Sequence, residues 1–177
     1  GYGESVELYL GKYTVQQQSS PNYYTTMQED LNVEVEKKNG EDPELHEIDA
    51  EKTKIALSVT DELNSTGLEG VTFAVSNERT GITQTVTTNA AGNVLLTDLD
   101  KSTTYHIREQ QTLENYRLDN TDYTMTVAAD GRIDGLSTAA LSITNRMLRV
   151  SIPIINKERV VCKIQIFKSI SICTNRS

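Results

Sequence analysis

The sequence predicts an all-β protein made of tandem antiparallel β-sandwich repeats, each of about seven strands. Three observations carry this prediction. Short runs alternate apolar and polar residues, no segment has helical periodicity, and one pattern returns after roughly 92 residues.

The complete copy of the pattern reads in order. Ile55–Thr60 alternates, with Ile55, Leu57 and Val59 on one face. A polar loop, Asp61–Gly70, leads to Val71–Asn77, where Val71, Phe73 and Val75 share a face. Arg79-Thr-Gly81 turns the chain into the Thr-rich strand Thr83–Thr88, and Asn89-Ala-Ala-Gly92 turns it again. Val94–Leu96, Thr104–Gln110 and Tyr123–Ala128 follow, then the turn Asp130-Gly131 and a last strand, Ala140–Thr144.

The segment from Tyr13 to Tyr23 resembles the one from Tyr105 to Tyr116. Leu31, Val33 and Val35 alternate as Tyr123, Met125 and Val127 do. Val150, Ile152 and Ile154 repeat the spacing of Ile55, Leu57 and Val59. The expected organisation is the C-terminal part of one repeat plus a linker at 1–50, a complete sandwich at 51–147, and the start of a degenerate third repeat or a disordered basic tail at 148–177. The charged stretch Lys37–Lys54 is the expected linker, with the first repeat's last strand near Leu45–Ile48. The chain therefore reads as a fragment cut inside repeats at both ends.

Charge is divided unevenly. Residues 1–145 carry about −14 and the last 32 about +6, within a net −8. An acidic body argues against nucleic acid as a partner, since binding there needs a basic face. No apolar run is long enough to span a membrane. Cys162 and Cys173, the only two cysteines, lie in the basic tail and do not have zinc-ligand spacing. His46 and His106 have no ligand cluster in sequence, and no phosphate loop or nucleophile elbow occurs. The acids Asp119 and Asp122 lack the spacing of a calcium loop. No metal or cofactor is expected. Tyr23, Tyr24, Tyr116 and Tyr123 are expected at sandwich edges, rings packed and hydroxyls wet.

The order of features in the complete repeat is distinctive. It runs Gly67-Leu-Glu-Gly-Val-Thr-Phe-Ala-Val75, Thr87-Thr-Asn-Ala-Ala-Gly92, Leu96-Thr-Asp-Leu99, Tyr105-His-Ile-Arg-Glu109, Asn115-Tyr116 and Leu141-Ser-Ile-Thr-Asn145. The earlier copy adds Leu10-Gly-Lys-Tyr-Thr-Val15 and Ser20-Pro-Asn-Tyr23. This resembles the SpaA-like, or collagen-adhesin B-type, repeat domains of Gram-positive pilins and surface adhesins, over roughly residues 3–36 and 55–146. The resemblance implies a prealbumin-like (Ig-like) sandwich serving as a stalk in an extracellular, wall-attached protein.

It also implies a chemistry. Many members join a first-strand Lys to a last-strand Asn or Asp through an isopeptide bond, with a buried Glu relaying the proton. Burial disfavours the ammonium and leaves a nucleophilic amine, and a protonated Glu polarises the amide. Glu109 occupies the Glu position and Asn145 the acceptor position. The Lys position holds Val59. Lys52 and Lys54 are an odd number of residues away, so on a regular strand both point to the opposite face. Gln17 stands at the Glu position of the first copy, and Ile154 at the Lys position of the third. The expectation is a repeat with remnants of the motif and no bond.

The functional expectation is a non-catalytic stalk module with neighbouring repeats as partners. The alternative is a β-sandwich that recognises a carbohydrate or host protein through its end loops. An enzyme reading lacks a nucleophile–base pair.

Overall fold

The computed structural model describes residues 7–37 and 50–149. The expected strand near Leu45–Ile48, His46, both cysteines and the apolar tail from Val150 lie outside them.

Among the described residues nine strands are formed: β1 (Gly11–Val15), β2 (Leu31–Val35), β3 (Lys54–Asp61), β4 (Thr72–Asn77), β5 (Thr83–Thr87), β6 (Asn93–Leu96), β7 (Thr103–Gln111), β8 (Asp122–Val127) and β9 (Thr138–Asn145). From β3 onward they build a sandwich of a three-stranded sheet, β6-β3-β9, and a four-stranded sheet, β5-β4-β7-β8. The alternation in sequence becomes alternation in burial. Ile55, Leu57 and Val59 of β3 are buried, as are Phe73 and Val75 of β4. They meet Ile107, Val127 and Ile143 between the sheets. Each such side chain contributes about 1.5–3 kcal/mol by leaving water. The Thr-rich β5 presents an exposed face, as its polar residues on both faces require.

Two features of register position the buried polar end of the sandwich. β3 and β9, its first and last strands, are adjacent and parallel, from Lys54↔Thr138 to Asp61↔Asn145. In the β4–β7 ladder, Phe73 pairs with Glu109 and Thr72 with Gln111, so Gln110 is a bulge residue immediately after Glu109.

β1 and β2 form a separate antiparallel pair. Gly11↔Val35, Tyr13↔Val33 and Val15↔Leu31 have the same register as Thr103↔Val127, Tyr105↔Met125 and Ile107↔Tyr123. Every partner is shifted by 92 positions, as from Tyr13 to Tyr105. The shift continues without a gap: the Tyr24 amide donates to Pro21 O and the Tyr116 amide to Leu113 O. This corrects the sequence alignment, which set Tyr23 against Tyr116. Tyr24 is the equivalent residue.

Candidate functional site

One end of the sandwich holds a cluster of buried polar side chains, where β3 and β9 finish and β7 runs out into its bulge. Glu109 follows Thr103, Tyr105 and Ile107 on the inward face of β7. Asn145 is the last residue of β9 and is 1% exposed. Its amide Nδ2 donates to Glu109 Oε1 at 2.8 Å and to Thr112 Oγ1 at 2.8 Å. Its Oδ1 is buried and has no hydrogen-bond partner among the described residues. The Asp119 amide donates to Glu109 Oε2 at 3.4 Å.

Asp61 lies beside Asn145 in the β3–β9 ladder. One carboxylate oxygen caps the following turn, accepting from the Leu63 amide at 2.7 Å, and the other accepts from the Tyr116 hydroxyl at 2.6 Å. The tyrosine bond and the turn amides hold the Asp61 carboxyl below its usual range. The same bond raises the Tyr116 hydroxyl. Glu109 shifts the other way. Burial raises its pKa, and the hydrogen bonds from Asn145, Thr112 and the Asp119 amide offset only part of that.

The Glu109 shift has a definite sign in stability. The native state binds this proton more tightly than the unfolded chain does. The destabilisation is absent below the ordinary carboxyl range, grows as pH rises through the raised pKa, and is complete above it. Asp61, Asp98, Asp119 and Asp122 are shifted down and contribute the opposite slope. The difference between the native chain and Glu109→Gln isolates the glutamate. Glu109→Gln is expected to gain relative stability steadily as pH rises from about 4, read as denaturant midpoints across pH. A difference that does not vary with pH would contradict this.

The structure brings together two of the residues named from sequence, since Glu109 and Asn145 are in direct contact. Val59 is fully buried, opposite Ile143 and on the face that carries Asn145 two residues further along β9. Lys54 lies on the other face of β3. Lys52 lies just before β3 and pairs with Asp98 at 2.7 Å. Among these lysines none faces the Glu109–Asn145 contact.

Three contributors were not anticipated: Thr112, Asp61 as the Tyr116 partner, and the bulge at Gln110. The Tyr hydroxyls were expected in water. Instead Tyr116 bonds to Asp61, and Tyr123 bonds to Asp119 at 2.7 Å. Asp119 is also occupied by the Thr121 amide and hydroxyl, so its lone pairs serve a local turn. Asp122 takes Arg108 at 2.5 Å and His106 at 3.0 Å. Arg108 is the main reason its carboxyl is held down at about 2.

No curated protein matches the chain. Among solved structures, the Bacillus anthracis TIE protein is 19% identical with a TM-score of 0.48, covering 78% of this chain and 25% of that one. A C-terminal fragment of the pilus adhesin SpaC from Lactobacillus rhamnosus GG is 21% identical with a TM-score of 0.49, covering 58% and 47%. GBS52, the minor pilin of Streptococcus agalactiae, is 16% identical with a TM-score of 0.45, covering 60% and 48%. The chain thus spans from a quarter to just under half of these structures' lengths. A family described as SpaA, prealbumin-like fold domain, matches residues 53–138, a stretch that includes Val59 and Glu109 and stops at the start of β9. Residues 53–138, just under half of the chain, thus match the SpaA family of prealbumin-like domains, and the seven strands from Lys54 to Asn145 form a two-sheet sandwich.

Proposed function

We propose that this chain is a non-catalytic stalk module of a bacterial cell-surface adhesin or pilin-like protein, lying outside the cell and attached through its parent protein to the wall. The observation that carries this reading is the parallel pairing of β3 with β9. The chain enters the sandwich at one end of this pair and leaves at the other. Tension applied through the neighbouring chain therefore runs along the module and shears eight paired positions together, from Lys54↔Thr138 to Asp61↔Asn145. A ladder loaded in shear must break its hydrogen bonds at once, not one by one. In this reading the module resists tension through that ladder and its core, with no covalent tie between Val59 and Asn145. Its direct partners are adjacent modules of the same protein.

Pulling the chain from handles at residues 50 and 149 tests the proposal. A single rupture that releases about 300 Å of chain is expected, from roughly 3.4 Å per residue less the folded length. Gradual extension without a rupture would overturn the stalk reading. A module that stays short would mean a covalent cross-link between its ends and would overturn the bond-free part.

A further inference from the structure

The junction between the β1–β2 segment and the sandwich recurs, half made, at the sandwich's far end. At the first junction Tyr24 bridges to Lys52. The Thr53 amide donates to Tyr23 O and the Thr25 amide to Glu51 O, both at 2.8 Å. At the far end Tyr116 bridges to Met147. There the Leu148 amide donates to Asn115 O at 2.7 Å and the Arg117 amide to Arg146 O at 2.9 Å. The shift is 92 positions on one side of the bridge, as from Tyr24 to Tyr116, and 95 on the other, as from Lys52 to Met147. Even the turn contact to a preceding polar side chain is kept. The Met27 amide donates to Gln17 Oε1 at 2.7 Å, where the Asp119 amide meets Glu109.

What differs is the cover. At the first junction two loops of the sandwich close over the segment. The Thr26 amide donates to Asp130 O at 2.7 Å, and the Arg132 guanidinium donates to Thr26 O at 3.0 Å. Lys101 Nζ donates to Ser20 O at 3.0 Å and also contacts the Ser20 hydroxyl. Asn22 Nδ2 donates to Asp100 Oδ1 at 2.6 Å. Gly131, at φ +84, lets the Tyr24 carbonyl approach so closely that a Cβ there would sit 2.6 Å from its oxygen. At the far end Leu118 takes the place of Thr26 and Glu114 that of Asn22. Among the described residues nothing bonds to the Leu118 amide or carbonyl, and Glu114 and Asn115 are exposed.

We propose that Thr112–Asp119 together with Arg146–Leu148 is the seat of a second copy of this module, following in the same chain. That copy lays its equivalents of Asp98–Lys101 and Ala128–Arg132 across the seat in the geometry of the first junction. The far end already carries the backbone half of that geometry. Glu114 stands at the Asn22 position, where its carboxylate can accept from the backbone amide of the incoming copy's Lys101 position, as Asn22 Oδ1 does from Lys101 at 3.2 Å, while the Asp100 carboxylate that Asn22 bonds must turn away from the like charge. The inference deepens the stalk reading and rests on it for the presence of adjacent modules. It adds that they are docked rigidly in a fixed orientation.

The test is the full chain with residues 55–149 repeated directly after Arg149, which stands in the phase of Lys54. Hydrogen exchange of the Leu118 amide, read by NMR, is expected to slow at least about ten-fold relative to the original chain, as an amide bonded across a closed junction does. Gly131→Ala in the appended copy is expected to abolish that protection. Gly135→Ala in the same copy, also at positive φ but with open space around it, is expected to keep it. Unchanged exchange at Leu118, or equal effects of the two glycine variants, would overturn the proposal. Flexibly joined stalk modules would pass the pulling experiment and fail this one, so the two readings fail separately.

Discussion

Val59→Lys is expected to yield a chain lighter than its sequence by one ammonia, about 17 Da. The reaction requires an amine, an amide and a proton relay, and the sandwich already brings two of these together. Asn145 Nδ2 is bonded to Glu109 Oε1 at 2.8 Å. Burial raises the Glu109 pKa and so favours its protonated form. Position 59 is fully buried and faces inward on the strand paired with β9. An ammonium introduced there sheds its proton readily, because desolvation disfavours the charge. The free amine attacks Asn145 Cγ. The bond from Cγ to the amide nitrogen breaks, and Glu109 carries the amine's proton to the departing ammonia. No oxidant or reductant is consumed. The new bond would close a loop of nearly the whole sandwich. By the loop-entropy argument used for disulfides, it would stabilise the fold by about 4–5 kcal/mol.

Intact mass of purified Val59→Lys decides the matter. Val59→Lys combined with Glu109→Gln is expected at full mass and with reduced stability, since it buries an amine without a relay. A cooperatively folded Val59→Lys at full mass would show that Glu109 and Asn145 do not form a competent pair. In the pulling experiment, the cross-linked chain is expected to lose most of the extension released by the native one.

The second large effect falls on the backbone that supports Val59. Gly92→Ala is expected to destabilise the sandwich by about 2–4 kcal/mol, combining left-handed backbone strain with overpacking. Gly92 has φ +76, and a Cβ there would lie 2.3 Å from Val59 O and 2.6 Å from the Leu68 amide nitrogen. That carbonyl is already bonded to the Leu68 amide, and the Val59 amide donates to Gly92 O at 2.8 Å. The two loops and the strand have no room to separate without losing these bonds. Gly81→Ala supplies the comparison. It has φ +70 but nothing within 4 Å of the added carbon, so it carries the strain alone, about 1 kcal/mol. Thermal melts should place Gly92→Ala about 8–32 °C below the native chain, at 4–8 °C per kcal/mol for a domain of this size. Equal losses for the two variants would mean that the close approach contributes nothing.

Much of the architecture was legible in the sequence because its signals are local. Alternation along Ile55–Val59, Val71–Val75 and Tyr105–Glu109 is a property of neighbouring residues, and an extended chain places alternate side chains on opposite faces wherever the strand pairs. Turn residues such as those at Asn89–Gly92 act over four positions. The burial of Glu109 was legible only through the family resemblance. Strand ends shifted by a residue or two, for the ladder and not the local pattern sets where pairing stops.

The amino-acid sequence by itself determined the strands, their buried faces, the recurrence at 92 positions and the absence of a lysine at position 59. The contacts that build the site came from the three-dimensional arrangement, because they join residues far apart in the chain. The Tyr116 bond to Asp61, the Thr112 bond to Asn145 and the close approach of Gly92 to Val59 depend on how the sheets stack and where β7 bulges. A tyrosine's side chain looks the same in sequence whether its hydroxyl meets water or a carboxylate, and only the position of the partner strand separates the two. The equivalence of Tyr24 and Tyr116 was decided in the same way, by which backbone amide closes the turn and which strand bridges to it.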